Sequence, residues 1–536
     1  MAAQATNRSA EPQSAHAMAD ERAKLKKVLR RFDLVCFTIA AFISIDTIAA
    51  TAAYGGGETL FWILAVIVLY MIPSGLIAAE LGSAFPVEGG PYAWTRMAFG
   101  RLPGSLTATF YWMSNPTWIG GTLAATTVAT LSSGLMLNRT SGFSTFWSIV
   151  IGVVVVWAIV GLSMIEVKWG RWTGIIGTVV RVSLLAVFLA LVVWFLIAHG
   201  KPTGTITWSD LKPSLTGFLA VVGLLQFLFV GFELSNSASE EMTNARHDIP
   251  AMIVRSGLSI ALIVIAMIFG ILLVVPSSGL SNVTGFIDAY NSVKTVLGSA
   301  GGPVGWLVGV LMILTIISCG GVWLQGSART QAVAGLDGAA PLFLGKFSKS
   351  GTPLAMNISS GIIGSAFVVL VFTMTSGSLS SFFGVMLSII ISLTAMQYFF
   401  IMASVLTLRK KYPNHPRPYR IPGGTLGVWL AVLAAEFVIV LTTISLVWPG
   451  LLDNLFGRSY SIQDNWGTSR VFFESVTLGT LGVIVLMAVL FWLIGKHNLA
   501  TGVVVDNDLL TLEAARGAAP SGVTAPGVAS AVAEDV

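Results

Sequence analysis

Charge is scarce in this chain. Of its 536 residues, 10% are Asp, Glu, Lys or Arg, whereas a soluble globular domain carries about 25%. So few charges leave too little polar surface to cover one soluble core of this size, which excludes a soluble enzyme and a nucleic-acid binder. Cysteine is also nearly absent: Cys36 and Cys319 both lie in apolar runs. That excludes a disulfide-stapled secreted domain, and their spacing suggests no metal or redox site. The five histidines, His16, His199, His247, His415 and His497, lie outside the long apolar runs. Nucleophile elbows, HExxH zinc motifs and P-loops are missing. No catalytic residue, cofactor or metal is therefore expected, and an intramembrane hydrolase or an ATP-driven pump has no support.

What the chain has instead is apolar length, 55% of its residues. A membrane-spanning helix needs about 20 apolar residues, so twelve would use about 240. Runs recur at 33–53, 60–84, 104–131, 145–165, 172–198, 216–239, 251–275, 303–333, 354–375, 379–408, 425–448 and 472–495. Barrel strands would alternate polar and apolar residues, which TLFWILAVIVLYMIPSGLIA does not. Backbone satisfaction in lipid then requires helices. The expected fold is an all-α polytopic membrane protein of about 12 transmembrane helices. Residues 1–31 read as a disordered basic tail, 32–497 as the membrane domain and 498–536 as a second disordered tail. The long first run, followed by another span, argues against a cleaved signal peptide.

Lysine and arginine placement sets orientation. With the N-terminus inside, twenty-three of the 30 basic residues fall in cytoplasmic segments, six fall outside, and Arg181 lies within a span. Both termini are expected in the cytoplasm, in a plasma membrane.

Ionisable groups inside spans are functional hypotheses by default, because burying them in lipid is costly. Asp46 sits mid-span in CFTIAAFISIDTIAATAAYGGG, beside Ser44 and Thr47. Residues unfavourable to helix at that depth suggest a break lining a cavity, where a carboxylate attracts an ammonium group or a cation. The alternative is a structural carboxyl, protonated or hydrogen-bonded to a neighbouring helix. Glu233 follows Gly231 and Phe232 in FLFVGFELSNSASEE, a second candidate break in the sixth span. Paired interruptions in two halves are the best sequence pointer to a transport site; the alternative is a packing glycine beside a cavity-facing Glu. Phe227, six residues earlier, is nearly two helical turns away and suits a lid. Arg181 keeps its proton and cannot carry one. It needs a carboxylate or carbonyl partner, or it snorkels to the interface. Glu436 has no glycine break around it and reads as packing, an oligomer contact or a protonated carboxyl.

Four segments resemble amino acid–polyamine–organocation permeases, in family order. AELGSAFPVEGGPYAWTRMAFG (79–100) resembles the loop after helix two. GFELSNSASEEMTNARHDIP (231–250) resembles helix six and its loop, with Ala245 in place of a usual proline. GSARTQAVAGLDGAAP (326–341) is similar to the end of helix eight, and LRKKYPNHPRPYRIPG (408–423) to the loop after helix ten. The resemblance implies two inverted five-helix repeats plus two helices, with helices one and six broken around a midplane site, and alternating access. It also implies amino acids, polyamines or other organic amines as substrates. Ile45, Asp46, Thr47, Gly231, Phe232 and Glu233 would then line the two breaks, with Tyr111 and Asn115 from helix three as further candidates. Ile45-Asp46-Thr47 replaces the family's Gly-Ser-Gly type bend. A carboxylate there repels a substrate carboxylate, which favours an amine or polyamine; a protonated Asp46 restores the amino-acid reading. Arg181 resembles the fifth-helix lysine of sodium-independent members, whose cation fills a sodium position. Arg96 and Arg101, or Arg329 and Asp337, could pair with Glu240, Glu241 and Asp248 as a cytoplasmic latch, or simply set topology. The expected partners are a small-molecule amine or amino acid, the bilayer, and protons or a counter-transported solute. A nutrient sensor that kept the fold and lost transport ranks last, since the tails are short.

Overall fold

The computed structural model describes residues 29–504 and Asp506, apart from 43, 140, 166, 200, 201, 203–210, 277, 278 and 375–378. Helices make up nearly all of it; the one β contact among the described residues is an isolated bridge between Leu29 and Met242. In chain order, α1 (Arg31–Phe42) and α2 (Ile45–Gly55) form a pair bent by 45°. Next come α3 (Glu58–Ala84), the short α4 (Gly90–Phe99) and α5 (101–132). After them run α6 (Thr145–Ser163), α7 (Val167–His199) and α8 (Leu215–Leu228), then a 3-10 turn at Leu234–Glu241. The second half holds α9 (Ala245–Val274), α10 (Gly285–Val293), α11 (Gly301–Leu336), α12 (Leu354–Met374), α13 (Leu379–Lys411), α14 (Gly424–Val447) and α15 (Arg470–Ala500).

Each of the twelve expected spans overlaps helix among the described residues. By length and composition nine helices among the described residues can cross a bilayer, and the bent α1–α2 pair makes a tenth. The sixth expected span, 216–239, is not one helix: α8 stops at Leu228 and the chain resumes as the 3-10 turn. The expected tails lie outside the described residues, except for residues 29–31 at one end and 498–504 and 506 at the other; residues 498–500 complete α15.

Burial separates central helices from peripheral ones. The apolar window of α13 is 78% buried within the bundle, that of α15 only 22%. Exposed Leu, Val and Phe side chains on the outer helices face lipid, where they cost nothing. Local sequence explains the interruptions. Gly89, at φ +73°, adopts the left-handed turn that lets α4 start, and Pro91 in its first turn has a φ already suited to helix. In α5, Pro116 lacks the N–H that the carbonyl of Trp112 would accept, and the helix widens into a π turn at Ile119–Leu123. That turn lays Gly120 directly on the backbone of Gly364 in α12: a Cβ there would lie 2.1 Å from the Gly364 carbonyl oxygen. Since α5 carries several site residues, Gly120→Ala tests this packing. Overpacking of this kind costs about 1–3 kcal/mol, expected as a lower melting temperature of the purified protein.

Candidate functional site

The first break follows α1. The carbonyl of Ala41 has left the helical ladder and accepts from the Trp323 indole at 2.9 Å and the Cys319 thiol at 3.3 Å, both on α11. Ser44, extended, starts α2, and Asp46 occupies its first turn, where unpaired N–H groups favour a carboxylate. Asp46 is fully buried and ringed by neutral donors. Ser44 Oγ and, more distantly at 3.4 Å, Thr47 Oγ1 donate to Oδ1; Trp118 Nε1 at 3.0 Å and Thr122 Oγ1 at 2.9 Å donate to Oδ2.

The second break spans residues 229–233. Gly231 has φ +130°, open to glycine and strained for any other residue. Its N–H donates to Tyr398 Oη at 3.0 Å, and the same hydroxyl donates to Glu233 Oε2. Tyr111 Oη donates to Glu233 Oε1 at 2.8 Å. Two phenols from α5 and α13 therefore hold the carboxylate that the break exposes. Tyr70 lies beside Tyr398, with ring centroids 6.3 Å apart, and accepts from Gln226 Nε2 at 3.1 Å.

Between the breaks is a void of about 10 Å³, lined by Ser114, Asn115, Trp118, Phe227, Trp323, Ile390 and Thr394. That is about the room one water needs, so the site is shut around its aromatic walls. Trp118 meets the Phe227 ring edge-on at 6.0 Å.

Arg181, 2% exposed, does not snorkel. Its guanidinium donates to the carbonyl of Thr315 at 3.1 Å and of Gly177 at 3.3 Å, and reaches Ser318 Oγ at 3.5 Å. Ser318 adjoins Cys319, whose thiol donates to the Ala41 carbonyl, so the fixed positive charge stands near the first break.

The structure brings Asp46 and Thr47 together with Trp118 and Thr122, and Glu233 and Gly231 together with Tyr111. Asn115 and Phe227 line the void. Ile45 is buried within the apolar core. Phe232 is not among the residues lining the void and packs at a tilt against Phe42, ring centroids 4.7 Å apart, in the space that Gly75 and Gly257 leave open. Tyr398, Thr122, Ile390 and Thr394 were not singled out from sequence. The adjacent Gln397-Tyr398 pair inside an apolar span was the available signal for Tyr398. Both carboxyl oxygens of Glu436 are buried without a hydrogen-bond partner.

The ends of the bundle differ. At one, Glu80 takes Arg409 through two bonds, at 2.7 and 2.5 Å, and Arg31 meets Asp248 at 2.8 Å. Arg329 bonds Glu241 at 2.8 Å, as the latch reading anticipates, but Arg96 and Arg101 pair with Asp337 and Asp506 instead of the loop acids. The buried Asp337 carboxylate also accepts from Tyr92 at 2.5 Å, so it collects the donors of α4 and the start of α5. At the opposite end a cavity of about 650 Å³, lined in part by Arg139, Asp288 and Asn291, separates α5 and α6 from α10.

Tyr398→Phe removes the one hydroxyl shared by both polar groups of the second break. Hydrogen bonds to charged groups contribute about 1.5–3 kcal/mol, so a loss of that size is expected in thermal unfolding.

Comparison with known proteins agrees with this architecture. Residues 29–462 match the amino acid permease family. An uncharacterized transporter of Legionella pneumophila is 31% identical over 75% of this chain and 85% of its own. A probable agmatine/putrescine antiporter of Lactococcus lactis is 28% identical over 80% of this chain and 88% of its own. The branched-chain amino acid permease BcaP of Bacillus subtilis is 24% identical over 78% and 88%. Among solved structures, MhsT in complex with L-phenylalanine superposes with a TM-score of 0.53 at 15% identity, covering 78% of this chain and 98% of MhsT. A mutant manganese transporter of Eremococcus coleocola gives 0.52 at 15% identity, covering 88% and 94%. The chain is a multi-pass membrane transporter, not an enzyme, and belongs to the amino acid permease family within the amino acid–polyamine–organocation superfamily.

Proposed function

We propose that this transporter moves an organic amine or polyamine across the plasma membrane by alternating access, without sodium. The observation that carries this reading is the Asp46 carboxylate, buried at a helix break with four neutral hydrogen-bond donors and no hydrogen-bonded cation. Such a ring supports an anion but leaves its charge for an incoming ammonium group. Trp118, Phe227 and Trp323 offer aromatic faces that favour the same cation. Glu233 supplies a second carboxylate, which suits a substrate with two amino groups. The probable agmatine/putrescine antiporter among the relatives points the same way, and exchange of one solute for another needs no coupling ion.

In this mechanism the half-helices α1–α2 and α8 with its 3-10 turn pivot about the breaks, and Phe227 covers the site. The Ala41 carbonyl and the Gly231 N–H, freed at the breaks, keep side-chain partners. Arg181 provides a permanent charge beside the first break, which disfavours sodium there. A second reading, an amino-acid permease with a protonated Asp46, is favoured by the apolar share of the void and by the branched-chain permease among the relatives.

Thermal stabilisation of purified protein by putrescine, monoamines, leucine and phenylalanine separates the two. A ligand at about 100 times its Kd adds about 2.7 kcal/mol. Amines lacking a carboxylate are expected to stabilise the wild type, and Asp46→Asn to weaken them at least about tenfold, or 1.4 kcal/mol. Unchanged amine affinity in Asp46→Asn removes the ammonium-site reading, and stabilisation by amino acids alone puts the second reading first. In proteoliposomes, replacing sodium by choline is expected to leave uptake unchanged. Sodium-dependent uptake would refute the role given to Arg181.

A further inference from the structure

Arg329, 1% exposed near the end of α11, stands between two acids. Its Nη1 donates to Glu88 Oε1 at 3.0 Å and to Glu241 Oε2 at 2.8 Å, and its Nη2 donates to the carbonyl of Gly351 at 3.0 Å. Glu88 and Glu241 are themselves 1% and 2% exposed. The Glu240 N–H donates to Glu88 Oε2 at 3.3 Å, and the Glu88 N–H to Glu240 Oε1 at 3.5 Å. Asp33 of α1, whose carboxylate accepts the Arg30 N–H, shares a small cavity with Glu241 and Arg329. Among the described residues, the charged groups facing the cluster are Glu88 from the loop before α4, Glu240 and Glu241 from the 3-10 turn, Asp33 from α1, and Arg329 at the centre. With Glu88 and Glu241 both ionised, one guanidinium balances two buried carboxylates. An uncompensated charge in such a place is costly, and a proton removes the cost. Burial pushes both carboxyls above the ordinary range; Arg329 pulls them back, and the neighbouring acids raise them again.

We propose that Glu88, Glu241 and Arg329 form a proton-binding site that locks this end of the bundle, holding one proton between the two carboxylates when shut and releasing it when water enters. The inference rests on the alternating-access reading above and on the lysine and arginine count that assigns this end to the cytoplasm. The cluster joins four segments: the loop before α4, the 3-10 turn that continues from the second break, the end of α11 and the loop at Gly351. Opening the inner side separates them. The Gly89 N–H on the Ser237 carbonyl at 3.3 Å and the Ser237–Thr330 hydroxyl contact at 3.0 Å tie the same segments and carry no charge. The proton is what makes the lock depend on pH.

The direction follows from linkage. A carboxyl raised in the shut state and ordinary, near 4.3, in the open state favours shutting fully below the ordinary value. That advantage is lost as pH rises through the raised value, about 8 for Glu88. Cytoplasmic acid therefore shuts this end and alkali releases it. Because the proton comes from the cytoplasm and returns there, the site sets the balance of shut and open states without coupling transport to a proton gradient.

The test is a pair of spin labels on exposed positions, His247→Cys at the start of α9 and Lys349→Cys in the loop that Arg329 holds. Full-length protein is used, with Cys36 and Cys319 replaced by serine, and distances are measured without substrate. Between about pH 6 and about pH 9 the long-distance population should grow, by at most tenfold per pH unit for one proton, equally in sodium and in choline. Glu88→Gln and Glu241→Gln each leave one carboxylate on Arg329, so at least one should stay shut and lose the pH response. A wild-type distribution that ignores pH overturns the proposal, as does a pH response that survives in both variants or one reproduced by sodium at constant pH. Because no substrate is present, this outcome is separable from failure of the amine-transport reading.

Discussion

Two peptide groups released from helix in the middle of the bundle govern much of the structure. The Ala41 carbonyl and the Gly231 N–H lie where lipid offers no partner, and an unpaired amide there costs several kcal/mol. The chain meets this demand with side chains from other helices. Trp323 and Cys319 of α11 take the first, and Tyr398 of α13 takes the second. Both supporting helices must therefore run through the centre, and α13 is accordingly among the most buried. The same partners shape the site. Trp323 forms a wall of the void, and the Tyr398 hydroxyl donates a hydrogen bond to Glu233.

The site and the ion-paired end solve one electrostatic problem in different ways. Asp46 and Glu233 are surrounded by neutral donors, which stabilise charge without cancelling it. At the ion-paired end, Asp337, Glu80, Glu88 and Glu241 face guanidinium groups directly. Buried pairs of this kind add little net stability, since desolvation offsets most of the attraction, but breaking one is costly. They suit a surface that has two defined states better than a permanent seam.

Much of the membrane architecture was legible beforehand, because apolar run length has one reading in lipid. The two breaks were legible as well. Asp46 beside Ser44, and Gly231 before Glu233, place polar or helix-weakening residues at a depth where a continuous helix would exclude them. Arg181 was legible as a group needing carbonyl or carboxylate partners, and Thr315 and Gly177 supply carbonyls. The latch was legible only as a set of charges: Arg329 found Glu241, whereas Arg96 and Arg101 found Asp337. Phe232 could not be assigned a direction, because a residue beside a break follows the space its neighbours leave, here opposite Gly75 and Gly257. Trp118 and Tyr398 looked like any aromatic in an apolar run.

The amino-acid sequence alone determined that this chain forms membrane helices, where they fall, and which two are interrupted. These are local properties: hydrogen bonding within a helix and apolar length are satisfied by residues close together in the chain. Tertiary structure alone decided which donor meets which acceptor. Trp118 reaches Asp46 across 72 positions, Tyr398 reaches Glu233 across 165, and Arg329 reaches Glu88 across 241. Each of those bonds depends on how helices rotate and pack against one another, and that is set by the shape of the whole bundle and not by any one segment within it.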